Sequence, residues 1–395
     1  MKQPKKTVLY VGNFLFPTED AAGKRVLNIG RSLKRSGYNV FFAGNNEGYR
    51  NEDKQKNGNY KYNGFRYFPR DIKSKVKRKI DNYYSFSRIR NLINKLENEG
   101  EKVDIIISYH MDFLGMIECI RYCKNRSITF ISDCTEWYDP RQTIHGRFGL
   151  AYYNSQLRML IANKKSDGMI VISKYLEKYY EKYTPVLRVP ALDDVQHMGN
   201  NRKATHDKLK FVYCGSPGKK DDLCSIWDAF EKIGCNENWE LNIVGISEDY
   251  PMFNKSKYST ELVKRFIFHG RVPIEKAQSI IQESHFSILI RPQNKRYTNA
   301  GFPTKFSESL SLGTPIIANI TSNINDYLNH GGNGIVVKDN NIGSIISALK
   351  YALNLTADEI DIMRSNAYKS ARESFDYQQY TNKISYFIES VVNKK

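Results

Sequence analysis

The stretch RPQNKRYTNAGFPTKFSESLSLGTPIIA, from Arg291 to Ala318, decides how the rest of the chain is organised. It predicts a polar loop, then a short helix, and then a buried strand. Proline suits the first position of a helix and threonine suits its cap, so the helix is predicted to begin near Pro303 and Thr304. Glycine commonly follows the last turn of a helix, so this helix is predicted to end at Gly313.

A charge pattern at the start of this helix points to a ligand. Lys305 lies in the first turn, where a cation opposes the helix dipole. Glu308 lies one turn further along the side that Thr304 and Lys305 occupy. An anion bound at the helix start would offset the repulsion between Lys305 and the helix dipole, because backbone amides and the lysine would together hold a phosphate. Glu308 would then accept hydrogen bonds from sugar hydroxyls. The alternative is a surface helix with an exposed Lys–Glu pair, which is a common and weak interaction.

Length and composition indicate a globular protein of two domains. The chain has 395 residues, which is enough for two separate cores. Its formal charge of +18 requires a partner, for which nucleic acid, an anionic membrane surface and phosphorylated substrates are the candidates. No apolar run approaches the ~18 residues that span a bilayer.

Targeting signals, disulfides and metal sites are not expected. The opening MKQPKKTVLYVGNFLF superficially resembles a signal peptide, but no small-residue cleavage site follows, so we predict a first β-strand. The six cysteines include no CxxC pair, which is typical of reduced thiols in a cytoplasmic protein. The seven histidines show no ligand spacing, so no protein-built metal site is expected.

The two halves of the chain open alike. Residues 9–13 read LYVGN and residues 212–216 read VYCGS, and each is followed by a helical pattern. Strands and helices then alternate in both halves, which predicts an α/β protein with two Rossmann-like domains facing across a cleft. The opening lacks a GxGxxG sequence, so a dinucleotide fingerprint is absent.

The predicted domain boundaries follow from these patterns. The N-terminal domain is expected to span 1–193, followed by a polar linker at 194–208. The C-terminal domain is expected to span 209–375. A final amphipathic helix at 376–395 can pack on either domain.

A basic insertion at about 45–100 interrupts the alternation in the first half. Between Lys54 and Lys95 there are 13 Lys and Arg against 2 Asp and Glu, a local excess of 13 − 2 = +11. A helical pattern begins at Ile72 and continues to Ile93. This amphipathic, tyrosine-rich segment predicts contact with an acidic membrane surface through residues 70–95. The alternative is a helix docked on its own domain with a solvated basic face.

The combination of two Rossmann-like domains with the segment GFPTKFSESLSLGTPIIA resembles a retaining glycosyltransferase of the GT-B architecture, in glycosyltransferase family 4. Weaker echoes run over most of the chain, including FHGRV at 268–272 and the glycine-rich GGNGIV at 331–336. The resemblance implies that the C-terminal domain binds a nucleotide diphosphate sugar. It implies that the N-terminal domain binds the acceptor, a glycan or a lipid-linked glycan.

The resemblance also assigns donor contacts residue by residue. Lys305 and the amides around Thr304 would hold the diphosphate, and Glu308 would hold the ribose hydroxyls. Each remaining cation has an alternative as a solvated loop residue. The further donor-site candidates lie on the loop after the first strand of the second half and after two later strands of that half: Gly215, Lys219, Lys220, Arg271 and Arg291.

Three departures from the family pattern matter. Ala300 stands where many members carry a glutamate assigned to the donor sugar. Ser216 stands where members often carry an arginine. Asp133 and Glu136 follow a strand where members often carry a histidine, so these two join Lys305 as predicted catalytic residues. Their alternative is a pair of loop carboxylates that cap a helix or face water. His110 is the other candidate for the histidine.

The expected reaction is sugar transfer with retention of the anomeric configuration. The departing diphosphate would be stabilised by cations and helix-start amides, and its own oxygen would take the acceptor proton. No metal ion or cofactor is then needed. The expected setting is cell-surface polysaccharide synthesis by a cytoplasmic protein, peripheral on the inner face of the membrane. The rival functions are a nucleotide-sugar epimerase or hydrolase on the same fold, and a basic nucleic-acid-binding protein. No recognised nucleic-acid motif supports the latter, so a nucleic-acid partner is not expected.

Overall fold

The computed structural model describes residues 6–45, 60–69, 85–143, 145–198, 208–216, 218, 220–236 and 238–394. The chain divides into two compact units, Met1–Leu192 with Tyr377–Lys395, and Asp193–Asp376. The first unit therefore ends one residue before the predicted boundary, and the C-terminal segment belongs to it. The predicted linker belongs to the second unit, and its described part contains a short helix, Val195–Met198.

The first unit is built on a sheet whose strands are almost all parallel. Among the described residues it has eight strands: β1 (Thr7–Gly12), β2 (Asn39–Ala43), β3 (Tyr60–Tyr62), β4 (Phe65–Tyr67), β5 (Ile105–Tyr109), β6 (Thr129–Cys134), β7 (Gly168–Val171) and β8 (Val186–Arg188). Their order is β3-β4-β2-β1-β5-β6-β7-β8, and only β3 runs antiparallel to its neighbour.

Helices cover both faces of this sheet. They are α1 (Ala21–Arg35), α2 (Ser85–Asn98), α3 (Phe113–Asn125), α4 (Leu150–Leu157), α5 (Lys174–Tyr180) and the C-terminal helix Thr381–Val392. Successive residues of β1 point to opposite faces, because a strand alternates its side chains. Tyr10 packs in a core with Ile384 of the C-terminal helix, whereas Leu9 packs in a core with Ile93 of α2.

The basic helix predicted from Ile72 lies only partly within the described residues. Residues 70–84 fall outside them, and α2 begins at Ser85. The apolar residues of α2, including Ile89 and Ile93, are buried in the core of the first unit. Arg88 donates hydrogen bonds to backbone oxygens of Gly44 and Phe68. The described part of the segment is therefore a helix docked on its own domain, and its apolar face is not available to a membrane.

The second unit is a fully parallel sheet. Its described strands are β9 (Leu209–Cys214), β10 (Trp239–Val244), β11 (Phe266–Gly270), β12 (Phe286–Leu289), β13 (Ile316–Asn319) and β14 (Gly334–Val337). Their order is β11-β10-β9-β12-β13-β14. Strands buried on both faces read as continuous apolar runs, as β13 does in residues 316–318.

The helices of the second unit flank this sheet. They are α6 (Val195–Met198), α7 (Leu223–Ile233), α8 (Thr260–Val263), α9 (Ile274–Glu283), α10 (Arg296–Ala300), α11 (Thr304–Ser311), α12 (Ile342–Leu353) and α13 (Ala357–Ser374). The core contains large aromatic side chains, of which Trp227, Phe230 and Trp239 are almost fully buried.

Candidate functional site

The sheet of the second unit has a topological switch point between β9 and β12. The chain leaves β9 toward β10 and β11 on one side, and β12 to β14 lie on the other side. Ligands of open parallel sheets bind outside the carboxyl ends of the strands at such a point. Gly215 directly follows β9, and Arg291 lies two residues after β12. The sequence-predicted residues Gly215 and Arg291 are therefore brought to one edge of the sheet.

A cluster of four side chains is centred on Asp221 at this edge. The Nε of Arg291 donates to Oδ1 of Asp221 at 2.9 Å. The hydroxyl of Tyr213 donates to Oδ2 at 2.7 Å, and the Nζ of Lys305 contacts the same oxygen. Lys305 also donates to the Tyr213 hydroxyl at 2.6 Å. The four residues come from β9, the following loop, the end of β12 and the first turn of α11.

The cluster carries an uncompensated positive charge. One carboxylate meets two cations, which leaves −1 + 2 = +1. The Asp221 side chain is 2% exposed, whereas those of Arg291 and Lys305 are 11% and 18% exposed. Burial alone would raise the pKa of Asp221, but Lys305 and Arg291 lower it below its ordinary value. Burial lowers the pKa of Lys305, and Asp221 opposes this shift without cancelling it. Both cations keep some surface toward solvent, so the edge can receive an anion.

Gly215 makes room for this cluster. Its φ is +130°, a conformation that L side chains rarely adopt. A Cβ at this position would lie 2.4 Å from Cε of Lys305. Gly245 stands directly behind it, where a Cβ would lie 2.7 Å from the Gly215 carbonyl oxygen. Two glycines at neighbouring strand ends thus let the lysine lie against the backbone.

The first unit holds a cavity at the corresponding place in its own sheet. The switch point there lies between β1 and β5, because β2 to β4 are on one side and β6 to β8 on the other. The cavity has a volume of about 610 Å³. Its lining includes Asn13 after β1, His110 after β5, and Glu136 after β6. The predicted residues His110 and Glu136 therefore share one cavity.

His110 is held rigidly at the edge of this cavity. It has a φ of +48°, which is uncommon for a residue with a side chain. Its Nε2 accepts a hydrogen bond from the Thr135 amide at 3.1 Å, and its ring stacks on Tyr109 at 4.5 Å between centroids. The Asn13 side chain donates to the His110 carbonyl at 2.7 Å. Glu136 is half-buried beside Tyr138. The pKa of Tyr138 is raised, mainly by burial and next by the negative charge of Glu136.

Arg158 adds a buried cation to the cavity wall. Arg158 is 5% exposed, and Ser155, three positions earlier, is 2% exposed. Within the described part of the chain, Nη2 of Arg158 and Oγ of Ser155 have no hydrogen-bond partner. Both residues line the cavity. Buried polar groups are normally paired, so these donors are available to a polar ligand.

The comparisons with known proteins agree with this arrangement. Residues 196–373 match the family described as Glycosyl transferases group 1. The matched residues make up almost all of the second unit. A curated relative from Methanocaldococcus jannaschii, named as an uncharacterised glycosyltransferase, is 23% identical over 312 residues, 72% of this chain and 77% of the relative.

Solved structures similar to the chain share its architecture. Sucrose-phosphate synthase from Thermosynechococcus elongatus has a TM-score of 0.72 at 12% identity, covering 99% of this chain and 100% of that chain. HepE of Anabaena, solved with UDP and glucose, has a TM-score of 0.63 at 13% identity, covering 98% and 100%. The chain therefore has the GT-B fold, as predicted, with one Rossmann-like domain in each unit.

Helix α11 of the second unit begins at Thr304, within the predicted start near Pro303 and Thr304. Pro303 is the residue before the first turn, Thr304 is the first helical residue, and no side chain caps the helix. The prediction that Thr304 is the cap is wrong, because its backbone has already turned into the helix. The first turn thus presents its backbone amides, with Lys305 beside them. Phe306 and Leu310 are fully buried on the opposite side.

The remaining donor-site candidates of the second unit differ in placement. Glu308 is half-buried one turn into α11. It lies near the end of β9, where burial and its carboxylate raise the pKa of Cys214 to about 11. Lys220 is half-buried on the loop after β9, and Arg271 is exposed after β11. Lys219 lies outside the described residues.

Ala300, where family members often have a glutamate, ends helix α10 and is fully buried. The side chain at this position therefore packs in the interior of the second unit. No carboxylate replaces the missing one at this point of the sequence.

The structure corrects the role predicted for Asp133. Strand β6 extends to Cys134, so Asp133 lies inside the sheet and not on the loop beyond it. Its side chain has 0% exposure and forms a salt bridge of 2.8 Å with Arg25. The Tyr10 hydroxyl donates to its Oδ2 at 2.5 Å. Both oxygens are thus used within the fold, which leaves no surface for a sugar. Glu136, three residues later, lines the cavity together with Asp20 and Asp112.

Sequence reasoning missed the partners that hold the predicted residues. Asp221 stands next to Lys220 in the run GKKDD, of which only the two lysines are predicted site residues. Tyr213 had one available signal, because a tyrosine occurs two positions before the glycine in both LYVGN and VYCGS. Arg158 had none, since it follows an apolar residue in an ordinary helical pattern.

Three structural findings bear on other predictions. All six cysteines are free. The described ranges contain no group of three or more His, Cys, Asp or Glu side chains placed to hold a metal ion. None of the helices in the described part of the chain is both long and apolar enough to cross a membrane.

Proposed function

We propose that the protein is a glycosyltransferase that moves a sugar from a nucleoside diphosphate sugar to an acceptor hydroxyl. The observation that carries this proposal is the Lys305–Asp221–Arg291 cluster. It places a net charge of +1 at the switch point of the second unit, beside the uncapped start of α11. A diphosphate supplies the negative charge and acceptor oxygens that this edge lacks.

The diphosphate and the ribose of the donor each have a place in this proposal. Lys305, Arg291 and the first-turn amides of α11 bind the diphosphate, and Glu308 accepts hydrogen bonds from the ribose hydroxyls. Lys220 is the further cation on the loop after β9. The structural neighbour HepE, whose structure contains UDP and glucose, supports a nucleoside diphosphate sugar as the ligand class.

The chemistry needs charge stabilisation more than a nucleophile. The bond between the anomeric carbon and the diphosphate oxygen breaks, and the diphosphate leaves with the bonding electrons. Cations and amides that are already in position stabilise this developing charge without reorganising. In the retaining course that we propose, the acceptor oxygen bonds to the anomeric carbon on the leaving-group face. Its proton passes to a diphosphate oxygen, so no metal ion or side-chain base is required in this proposal.

The cavity of the first unit is the proposed acceptor site. Its lining combines aromatic rings with hydrogen-bonding side chains, a mixture suited to sugar hydroxyls. His110 and Glu136 contact the sugar at the carboxyl ends of β5 and β6, and Arg158 supplies its Nη2, which has no hydrogen-bond partner among the described residues. We propose a glycan or lipid-linked glycan as the acceptor, in polysaccharide synthesis in the cytoplasm.

Thermal-shift measurements with UDP-, GDP-, ADP- and dTDP-sugars test the donor site, because a ligand that binds the folded state raises its apparent stability. One nucleotide class is expected to raise the melting temperature of the wild type. Lys305→Ala and Glu308→Ala should lose that rise. Lys257→Ala is the matched control, since Lys257 is a cation paired with Asp228 away from the site. A rise that persists in both site variants, or none with any donor, contradicts the proposal.

Product analysis separates transfer from its rivals. With the donor class identified, a labelled sugar is expected to appear on an added glycan acceptor. Release of free sugar, or of an epimerised nucleotide sugar, at the same rate without any acceptor would instead establish a hydrolase or an epimerase.

A further inference from the structure

The helix that lines the proposed acceptor cavity buries polar side chains. Helix α4 continues directly into a π-helical turn, Arg158–Ala162. Its polar residues Ser155 and Arg158 are buried, and Asn154 is half-buried against Asp112, to which it donates at 2.6 Å. A surface helix normally buries its apolar side and exposes its polar side. Here polar side chains face the protein, beside the buried Met159 and Ala162.

The outward side of the same helix is apolar. We call these six residues the apolar stripe: Phe148, Leu150, Tyr153, Leu157, Leu160 and Ile161. The exposed fractions are 90% for Phe148, 72% for Leu150 and 53% for Tyr153. The other three are 39–43% exposed. The spacing from 150 to 161 repeats every three to four positions, so these residues lie along one side of the helix. Single exposed apolar residues need no explanation, but a contiguous group rimmed by polar residues marks an interaction site.

The charges around the apolar stripe select the partner. Between residues 140 and 165 the chain has five Lys and Arg and no Asp or Glu. Arg141, Arg147 and Lys165 are exposed in the segments directly before and after the helix. An apolar strip between cations fits a surface that is apolar inside and negatively charged outside. The headgroup region of an anionic bilayer has this composition.

The two sides of the helix connect this surface to the cavity. Asn154, Ser155 and Arg158 line the cavity, while Tyr153 and Leu157 on adjacent positions belong to the apolar stripe. One helix therefore separates the cavity from the stripe, and a bilayer that receives the stripe lies one helix away from the cavity lining.

We propose that the apolar stripe docks into the surface of an anionic lipid bilayer, with the helix lying in the interface. A lipid-linked acceptor in that bilayer then presents its headgroup to the adjacent cavity. The docking itself does not depend on the transfer reaction, whereas the lipid-linked acceptor rests on the proposed function.

Vesicle flotation of the full chain tests the docking. Vesicles of phosphatidylcholine with phosphatidylglycerol are expected to bind the wild type, and vesicles of phosphatidylcholine alone to bind it more weakly. The double variant Phe148→Ser/Leu150→Ser should lose binding to the mixed vesicles by about tenfold or more, because two large apolar side chains leave the interface. Absence of wild-type binding to the mixed vesicles, or unchanged binding of the double variant, overturns the proposal.

Matched controls exclude a general effect of surface hydrophobicity. Tyr386→Ser and Ile362→Ser remove apolar side chains that are 77% and 62% exposed outside the stripe. Both should bind vesicles like the wild type. Insertion is read directly with Phe148→Trp, whose added fluorescence should be quenched by brominated lipids. The corresponding Tyr386→Trp should show no added quenching, and equal quenching of the two overturns insertion at the stripe.

Two further measurements distinguish docking to lipid from a contact between two copies of the chain, and failure of the membrane proposal from failure of the donor-site proposal. Light scattering after size exclusion shows whether the stripe is instead a contact between two copies, since a dimer lost in the double variant would overturn docking to lipid. The nucleotide-sugar thermal shift should be the same in the double variant and the wild type, because the stripe lies in the other unit. Absence of wild-type vesicle binding together with an intact wild-type shift therefore refutes the membrane proposal and leaves the donor-site proposal standing.

Discussion

The two units contain the same arrangement of residues at their first strand, and they use it differently. Tyr10 and Tyr213 each lie two positions before the glycine at the strand end. Each tyrosine hydroxyl donates to an aspartate, Asp133 at 2.5 Å and Asp221 at 2.7 Å. Each aspartate is also paired with a cation. The repeated halves of the sequence thus extend into repeated side-chain clusters.

The clusters differ in charge balance and in exposure. In the first unit Arg25 is the cation that pairs with Asp133 among the described residues, their side chains are 4% and 0% exposed, and the net charge of the pair is zero. The remaining Arg25 donors reach the carbonyl oxygens of Val189 and Pro190 at 2.9 and 3.0 Å. Every group is satisfied inside the protein, so this cluster joins α1, β6 and the end of β8.

In the second unit the same kind of cluster has a second cation and a partly open surface. Lys305 and Arg291 share one carboxylate, and each keeps more than a tenth of its side chain exposed. The comparison teaches that a Tyr–Asp–cation cluster is structural when its charges cancel and it is sealed. It becomes a candidate binding site when a charge is left over and solvent can reach it.

The largest expected effect is on the sealed cluster. Asp133→Asn leaves the buried Arg25 guanidinium without its counter-charge, so we expect a loss of about 3–5 kcal/mol in the free energy of unfolding. Urea unfolding of the full chain measures this loss. Asp139→Asn, at a half-buried loop carboxylate of the same unit, is the control and should cost far less. Wild-type stability combined with lost transfer would instead restore Asp133 as a substrate contact.

The open cluster should respond in activity before it responds in stability. Lys305→Met removes one diphosphate cation while Arg291 still neutralises Asp221. We expect kcat/KM for transfer to fall about 100- to 1,000-fold, the usual cost of deleting one group that stabilises transition-state charge. The melting temperature should change little. Lys257→Met is the control, and a fall in activity no larger than in that control would refute the cluster as the diphosphate site.

Gly12 and Gly215, the glycines at the ends of β1 and β9, should differ in what an alanine substitution costs. A Cβ on Gly12 would lie 1.9 Å from the carbonyl oxygen of Tyr109, which is backbone and cannot move aside. A Cβ on Gly215 would meet the flexible end of Lys305, at a residue whose backbone is already in a glycine-like conformation.

We therefore expect Gly12→Ala to destabilise the fold by several kcal/mol, at or above the ~1–3 kcal/mol typical of backbone strain. Gly215→Ala should cost less stability but weaken the nucleotide-sugar thermal shift. Paired measurements of unfolding and of ligand-induced shift in both variants test this. Equal losses of stability with an unchanged shift in Gly215→Ala would show that the two glycines do the same work.

The smallest expected effect is a pH dependence. Burial would raise the pKa of Asp221, but Lys305 and Arg291 hold it below its ordinary value. A carboxylate with a lowered pKa in the folded state stabilises that state above its unfolded pKa, ~3.9, and loses this contribution as the pH falls through the folded pKa.

The stability advantage of the wild type over Asp221→Asn should therefore be constant between about pH 5 and 7 and shrink on acidification below about pH 4. Urea midpoints at a series of pH values measure it. An advantage that grows on acidification would mean that Asp221 is not the partner of the two cations.

Much of this protein was predictable because it depends on local pattern. The stretch from Arg291 to Ala318 predicted a helix with a lysine and a glutamate on one side, and the structure places that helix within two residues of its predicted bounds. The repeat of LYVGN in VYCGS predicted two Rossmann-like domains, and the GT-B fold confirms them. Strand and helix periodicity, glycine and proline positions are short-range signals, so they survive without tertiary information.

The sequence by itself thus determined the fold class, the repeated strand–glycine–helix openings and the charged helix start at Lys305. Only the tertiary structure decided that Asp133 is sealed while Glu136 reaches a cavity, because β6 runs to Cys134 and so includes Asp133. It also decided that Phe148 and Leu150 face outward, since periodicity predicts a helix but not which side the rest of the chain covers. Burial and pairing depend on residues more than a hundred positions apart, as for Arg25 and Asp133, and no local pattern encodes such contacts.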